Sequence, residues 1–205
     1  MGTDKIRKGE ATSERIVEAA YQLFLEQGYH ATSMRQIITR AGITMGGIYN
    51  HFACKEDIWV AVLMTRHPYH EVIPVLQNAP GDTIAEFMEQ AADGLIKELG
   101  EQSDFLNLMF IELVEFNASH LTEIFNTARP ELLKLAQVLG QKSGRLRPIP
   151  APILARSFLG LFLSYYITGR FLPAPVLQSM GSDSLKAFVD IYLHGVLEPE
   201  APEHD

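Results

Sequence analysis

Apolar residues recur at three- and four-residue intervals along most of this 205-residue chain, and no two-residue alternation survives that pattern. The spacing predicts helices throughout and no sheet. A first helix is predicted from about Thr12 to Gln27, with Ile16, Ala20, Leu23 and Phe24 on one face and Gly28 at its end. A short helix with Met34, Ile37, Ile38 and Ala41 comes next, then another in which Ile48 and Phe52 stand four apart. Glu56 and Asp57 open the fourth, where acids suit the helix dipole; it runs through Ile58, Trp59, Val62 and Leu63 to about His67, and Pro68 marks its end. Residues 68–82, with Pro74 and Pro80-Gly81, read as a linker. Further helices are predicted near 82–99, 103–117, 120–140, 150–171 and 183–197, with turns at Gly100, Asn117 to His120, Gly144 and Pro173-Ala174-Pro175. The expected architecture is all-α: a polar mobile arm over 1–10, a three-helix head over 11–67, and a larger helical body over 68–205.

The head holds the informative chemistry. Ser33 followed three residues later by Gln36 is a capping-box pattern, Gly42 suits a left-handed helix end, and Thr44 can cap the next helix. Two short helices about a tight, glycine-containing turn make a helix-turn-helix. Gly46 and Gly47 are poor helix formers, each costing about 0.8–1.0 kcal/mol against Ala, yet they let a backbone approach a groove wall. Met45 and Asn50 are the side chains left to reach base edges, and Asn can pair bidentately with adenine. Thr44, Tyr49, His51 and Lys55 carry donors suited to phosphate oxygens. Thr32, Ser33 and Arg35 complete the expected DNA-facing set, Arg35 as a further source of sequence preference. A plain helical hairpin with a solvated outer face is the bland reading; the glycine pair and the donors on one short helix weigh against it.

These residues resemble those of the TetR-type bacterial transcription regulators. The resemblance runs from Ser13-Glu14-Arg15-Ile16 through Leu23-Phe24, Gly28-Tyr29, Thr32-Ser33, Ala41-Gly42, Gly46, Ile48-Tyr49, His51-Phe52 and Lys55-Glu56, about the first third of the chain. Beyond it, Gly144-Arg145-Leu146-Arg147-Pro148 before an apolar helix is a local echo. Ile38-Thr39 and Asn50 depart from the commoner pattern, and Asn50 leaves the operator sequence open. The resemblance implies a homodimer on a double-stranded operator, released by a small-molecule effector bound in the body.

Charge is consistent with that division. The net charge of −8 falls wholly after residue 60; residues 1–60 carry seven Lys/Arg against seven Asp/Glu. Acidity away from the head disfavours nonspecific adhesion to nucleic acid and leaves binding to a local patch. In the arm, Lys5, Arg7 and Lys8 are available to phosphates. One cysteine, Cys54, excludes an intrachain disulfide, and without a second thiol it makes a poor redox switch. No apolar run follows the first charges, and the thirteen uncharged residues from Ser157 to Gly169 fall short of the ~20 a membrane span needs. A cytoplasmic protein without membrane contact is expected.

The body offers weaker signals. Residues 153–167 are apolar nearly all round, and a second broad stripe holds Leu185, Phe188, Val189, Tyr192 and Val196. One molecule could bury both. The resemblance implies instead a four-helix dimer interface built from Phe158, Phe162, Tyr165, Tyr166, Leu185, Phe188, Val189 and Tyr192. Phe87, Met88, Phe105, Met109, Phe110, Phe116 and Phe125 read as core by spacing, and as pocket lining by the resemblance. Glu112 falls among them and would be costly unpaired, so it either binds an effector or has an internal partner. His67, His70 and Glu71 are close in sequence, but Pro68 breaks the helix that would align them, and no metal or cofactor is expected. Asn117-Ala118-Ser119 matches a glycosylation pattern that has no meaning in a cytoplasmic chain. No catalytic constellation appears: no Gly-x-Ser-x-Gly, no phosphate loop, no His-Glu-x-x-His. The rival to a regulator is a helical small-molecule carrier or partner-binding protein without functional DNA binding.

Overall fold

A computed structural model describes residues 2–100, 103–144, 146–181 and 183–196. Eleven helices succeed one another among them: α1 Gly2–Gln27, α2 Met34–Ala41, α3 Met45–Tyr49, α4 Lys55–Arg66, α5 Tyr69–Gln77, α6 Ile84–Gly100, α7 Ser103–Phe116, α8 Leu121–Gly140, α9 Ala151–Phe171, α10 Ala174–Met180 and α11 Ser184–Val196. The described residues hold no strand beyond one isolated bridge between Thr83 and Ser143. The fold is all-α.

The chain forms two compact units. The first takes everything up to His70 together with Leu99–Pro130; the second takes Glu71–Glu98 and the chain from Glu131 on. The body expected over 68–205 is therefore not one piece. The reason lies in the aromatic residues: Phe116 of α7 stacks on Trp59 of α4 at 5.5 Å between ring centroids and meets Tyr29 edge-on at 4.6 Å. Leu108 and Ile124 join the core that Ile16, Phe24, Ile37, Ile48, Ile58 and Val62 form in the head.

Three local expectations are corrected. Residues 2–10 are not a mobile arm but the first turns of α1. The segment holds no proline, and a helix once nucleated gains a bond for each residue added. The side chains of Lys5, Arg7 and Lys8 lie outside the described residues, as do Arg145 and the last residue of the predicted 183–197 helix. The expected linker contains α5, which carries Pro74 inside it because Ile73 and Leu76 are buried and offset the lost bond. The turn expected at Pro173–Pro175 opens α10 instead, proline being well suited to a first helical turn.

In the second unit, α9 and α11 pack together. Phe162 of α9 and Leu185, Val189 and Leu193 of α11 are buried, and Tyr165 meets Phe188 edge-on at 5.4 Å. α9 is 21 residues long, with mean hydropathy 1.2 over its most apolar window, so by length and composition it passes for a membrane span. Only 6% of that window is buried within the chain, Phe162 being the one buried side chain of α9.

Candidate nucleic-acid interface

The helix-turn-helix is built from its caps inward. The Ser33 hydroxyl accepts from the Gln36 amide at 3.3 Å, while the Gln36 side chain accepts from the Ser33 amide at 2.8 Å. This reciprocal cap starts α2 where the sequence places it. Gly42, at φ 62°, turns the chain out of α2 in the left-handed region. Arg15 of α1 donates to the exposed carbonyls at that end, to Ala41 at 2.5 Å and to Gly42 at 3.2 Å. A cation at a helix C-terminus is favourable for the dipole as well. Thr44 caps α3 by accepting from the Gly47 amide at 3.2 Å. Ile48 is wholly buried and anchors α3 to the core, and the amides of His51 and Phe52 both bond the Ile48 carbonyl.

This anchoring fixes which residues face outward. Met45 and Tyr49 are each 52% exposed, far above what large apolar side chains keep in a core, and Gly46, Asn50 and His51 are exposed beside them. The two glycines differ. A Cβ on Gly46 would meet nothing, whereas one on Gly47 would lie 3.2 Å from the Thr44 hydroxyl. Gly47 therefore belongs to the cap, and Gly46 to an open backbone surface. Arg35 and Ser33 are exposed on α2 and its cap.

Two members of the predicted set point inward. Thr32 is buried, its hydroxyl donating to the Gly28 carbonyl at 2.8 Å. Lys55 Nζ donates to the carbonyls of Tyr29 and Thr32, each at 2.7 Å, and sits 4.0 Å from the Tyr29 ring centroid. Burial holds this ammonium below the usual lysine range, with the Glu115 carboxylate opposing. Lys55 thus ties the α1–α2 loop to the start of α4. Sequence reasoning could not see this, because the carbonyls belong to residues 23 and 26 positions earlier. Arg15 is the position it passed over; an arginine one helix upstream of a left-handed glycine gives no local signal of capping it.

The expected pocket set is divided. Phe87 is buried and Met88 half-buried in the second unit, while Phe105, Met109, Phe110, Glu112, Phe116 and Phe125 belong to the first. Phe105 meets His67 edge-on at 5.0 Å; Phe110 and Phe125 are exposed, and Met109 is half-buried. Glu112 is fully buried and partnered: it accepts from the Trp59 indole at 2.7 Å, from the His120 amide at 2.9 Å, and lies 3.1 Å from His120 Nδ1. Those internal partners take the place of an effector. Of the predicted dimer residues, Phe162, Leu185 and Val189 are spent on α9–α11 packing within one chain, and Phe158 and Tyr192 face each other at 5.8 Å. Tyr165 bonds Ser184 at 2.9 Å, Phe188 packs on it, and burial raises Tyr166 above the usual tyrosine range. Ile153, Leu159, Leu163 and Phe171 of α9 and Ile191 of α11 are the large apolar residues left exposed on the pair. Among the described residues no His, Cys, Asp and Glu group is arranged to hold a metal.

Residues 16–62 match the family described as bacterial regulatory proteins, tetR family. Over 187 residues the chain is 24% identical to YvkB of Bacillus subtilis (strain 168), an uncharacterized HTH-type transcriptional regulator, across 90% of this chain and 97% of that protein. Other curated regulators match over 69 residues, about a third of this chain and about a third of their own length. Among solved structures, a tetR family transcription regulator from Shewanella sp. PV-4 superposes with TM-score 0.67 at 19% identity, over 92% of this chain and 99% of that one. SmeT, the repressor of the Stenotrophomonas maltophilia multidrug efflux pump SmeDEF, in complex with triclosan, gives 0.58 at 24% identity, over 95% and 96%.

Proposed function

We propose, from the premise that this chain is a TetR-type, ligand-responsive DNA-binding regulator, that it acts as a homodimeric repressor released from its operator by a small molecule. The observation that carries the reading is the α3 surface: a buried Ile48 with Met45, Gly46, Tyr49 and Asn50 facing solvent. Tyr49, His51 and Ser33 are assigned to phosphate oxygens, and Met45, Asn50 and Arg35 to sequence preference. Thr32, Lys55 and the Thr44 hydroxyl are assigned to holding that surface in place. The head is residues 11–67, supported from behind by α7 and the start of α8.

The partners follow from this assignment. Two copies pair through the outward side of α9 and α11, placing one α3 in each half-site of a duplex. The effector is an apolar or amphipathic small molecule taken up by the helical body; SmeT, of the same fold, is complexed with triclosan. Nothing in the site calls for turnover, so we place the protein outside the enzymes, in the cytoplasm and away from membranes.

The test is fluorescence anisotropy on the chain's own upstream DNA, with salt titrated. Tyr49→Phe should weaken binding to all duplexes, by about threefold to tenfold for one lost hydrogen bond. Asn50→Ala should alter preference between sequences, at about 1–3 kcal/mol for a lost bidentate base contact. Binding that neither substitution changes, or no binding at any salt, sinks the proposal and revives the carrier reading.

A further inference from the structure

The α7–α8 turn carries an ionisable cluster that the DNA-binding surface does not use. Asn117 and Ala118 both lie in the left-handed region, at φ 53° and 62°, a costly conformation for an alanine. The turn they make sets His120 with its ring edge-on to Phe116 at 4.8 Å and its side chain only 14% exposed. His120 Nδ1 lies 3.1 Å from Glu112 Oε2, and Nε2 lies 3.2 Å from Glu56 Oε1. Both ring nitrogens therefore face carboxylate oxygens.

A neutral imidazole carries one N–H, so one nitrogen would turn a lone pair toward an anion; an imidazolium donates from both. The two carboxylates are not equivalent. Glu112 is fully buried and already accepts from the Trp59 indole and the His120 amide. Glu56, in the first turn of α4, has a side chain 58% exposed and can pass to water. The neighbouring charges are turned elsewhere. Lys55 of α4 donates to the Tyr29 and Thr32 carbonyls, and Glu115 of α7 stands 2.9 Å from His30 without hydrogen-bond geometry. On α8, Glu123 reaches His120 through its backbone, donating to the His120 carbonyl at 3.1 Å.

We propose that His120, between Glu56 and Glu112, is a proton-dependent latch: the charged ring clamps the first turn of α4 to the α7–α8 turn, and loss of the proton releases Glu56. α4 begins shortly after α3 ends, so the latch bears on the helix next to the exposed recognition surface. It is a property of this unit whether or not α3 binds DNA.

The test reads the unit directly in the full chain. Trp59 is the one tryptophan of the sequence, and its indole N–H, bonded to Glu112, can be followed by nuclear magnetic resonance from about pH 5.5 to 8.5, across the range where imidazoles titrate. The wild type should show one step, with amide exchange over residues 58–61, the first amides bonded within α4, faster on its alkaline side once corrected for intrinsic rate. Glu56→Gln, at an exposed site that leaves the fold intact, should remove the difference in exchange between the two sides of the step. It should also make exchange fast at every pH, and His120→Gln should abolish the step. A step that survives His120→Gln, exchange that Glu56→Gln leaves dependent on pH, or no step in the wild type overturns the latch.

Discussion

Two glycines adjacent in sequence have opposite duties, and a matched pair of substitutions separates them. Gly46 has open space where a Cβ would go, so Gly46→Ala should be neutral or stabilise the chain, by up to about 1 kcal/mol, while weakening DNA binding by filling the surface that meets the groove. Gly47→Ala should cost stability, because its Cβ would press on the Thr44 hydroxyl that caps α3. Urea unfolding beside anisotropy distinguishes the two: unchanged affinity in Gly46→Ala would remove that glycine from the interface. Lys55 argues the same way. Its place in the sequence suggests a phosphate donor, yet its ammonium bonds two carbonyls inside the head. Lys55→Ala should therefore cost about 2–3 kcal/mol in urea unfolding, the scale of charged hydrogen bonds lost from a partly buried site, and leave the salt slope of DNA binding unchanged. A shallower slope would return Lys55 to the phosphates. The residue types of this site are legible in the sequence because caps and turns are local rules; which donor is already consumed is not, because its acceptors lie far upstream.

Caps and periodicity set α2, α3 and α4 where the sequence places them, whereas α5, α10 and the start of α1 are hidden by proline or polarity. In α5 burial overrides proline, and at α10 proline marks a beginning where the sequence suggests a turn. The junction of α4 and α5 shows a further consequence. His67 ends α4, its Nδ1 accepts from the Tyr69 amide at 3.2 Å, and its ring lies against Phe105. Burial first, and then the nearness of His70, push its pKa down from 6.5 to about 4. The folded chain therefore resists protonation that the unfolded chain accepts. Stability from this group is intact above pH 6.5 and is lost as pH falls toward about 4. The full loss is about 3–3.5 kcal/mol, from roughly two and a half pH units at 1.36 kcal/mol each. Urea unfolding at neutral pH and near pH 4.5 should show a smaller difference for His67→Leu than for the wild type. An equal difference would place the acid sensitivity elsewhere, and Trp59 fluorescence tracks both curves in one experiment.

For the molecule as a whole, the proposed pairing through α9 and α11 turns on which side of them is free to face a second copy. Helical spacing shows that a helix is apolar all round; it does not show which half its own neighbour takes. Phe162, Leu185 and Val189 are enclosed within one chain, and the large side chains left outward are Ile153, Leu159, Leu163 and Phe171 of α9 and Ile191 of α11, the last 72% exposed. Exposed apolar residues scattered singly need no explanation, but several on one helix pair that already has a filled interior do. A charge set among them in a dimer would be desolvated without a partner, at a cost of several kcal/mol, while in a monomer it would sit in water. Leu163→Glu combined with Ile191→Glu should therefore convert a dimer to a monomer in sedimentation equilibrium, with helical circular dichroism unchanged. The same variant should lose at least about tenfold in affinity for a duplex with two half-sites and little for a duplex with one, since only the former gains from holding two heads at a fixed separation. A double variant that still sediments as a dimer would move the interface off this face, and equal loss on both duplexes would show that the heads act singly.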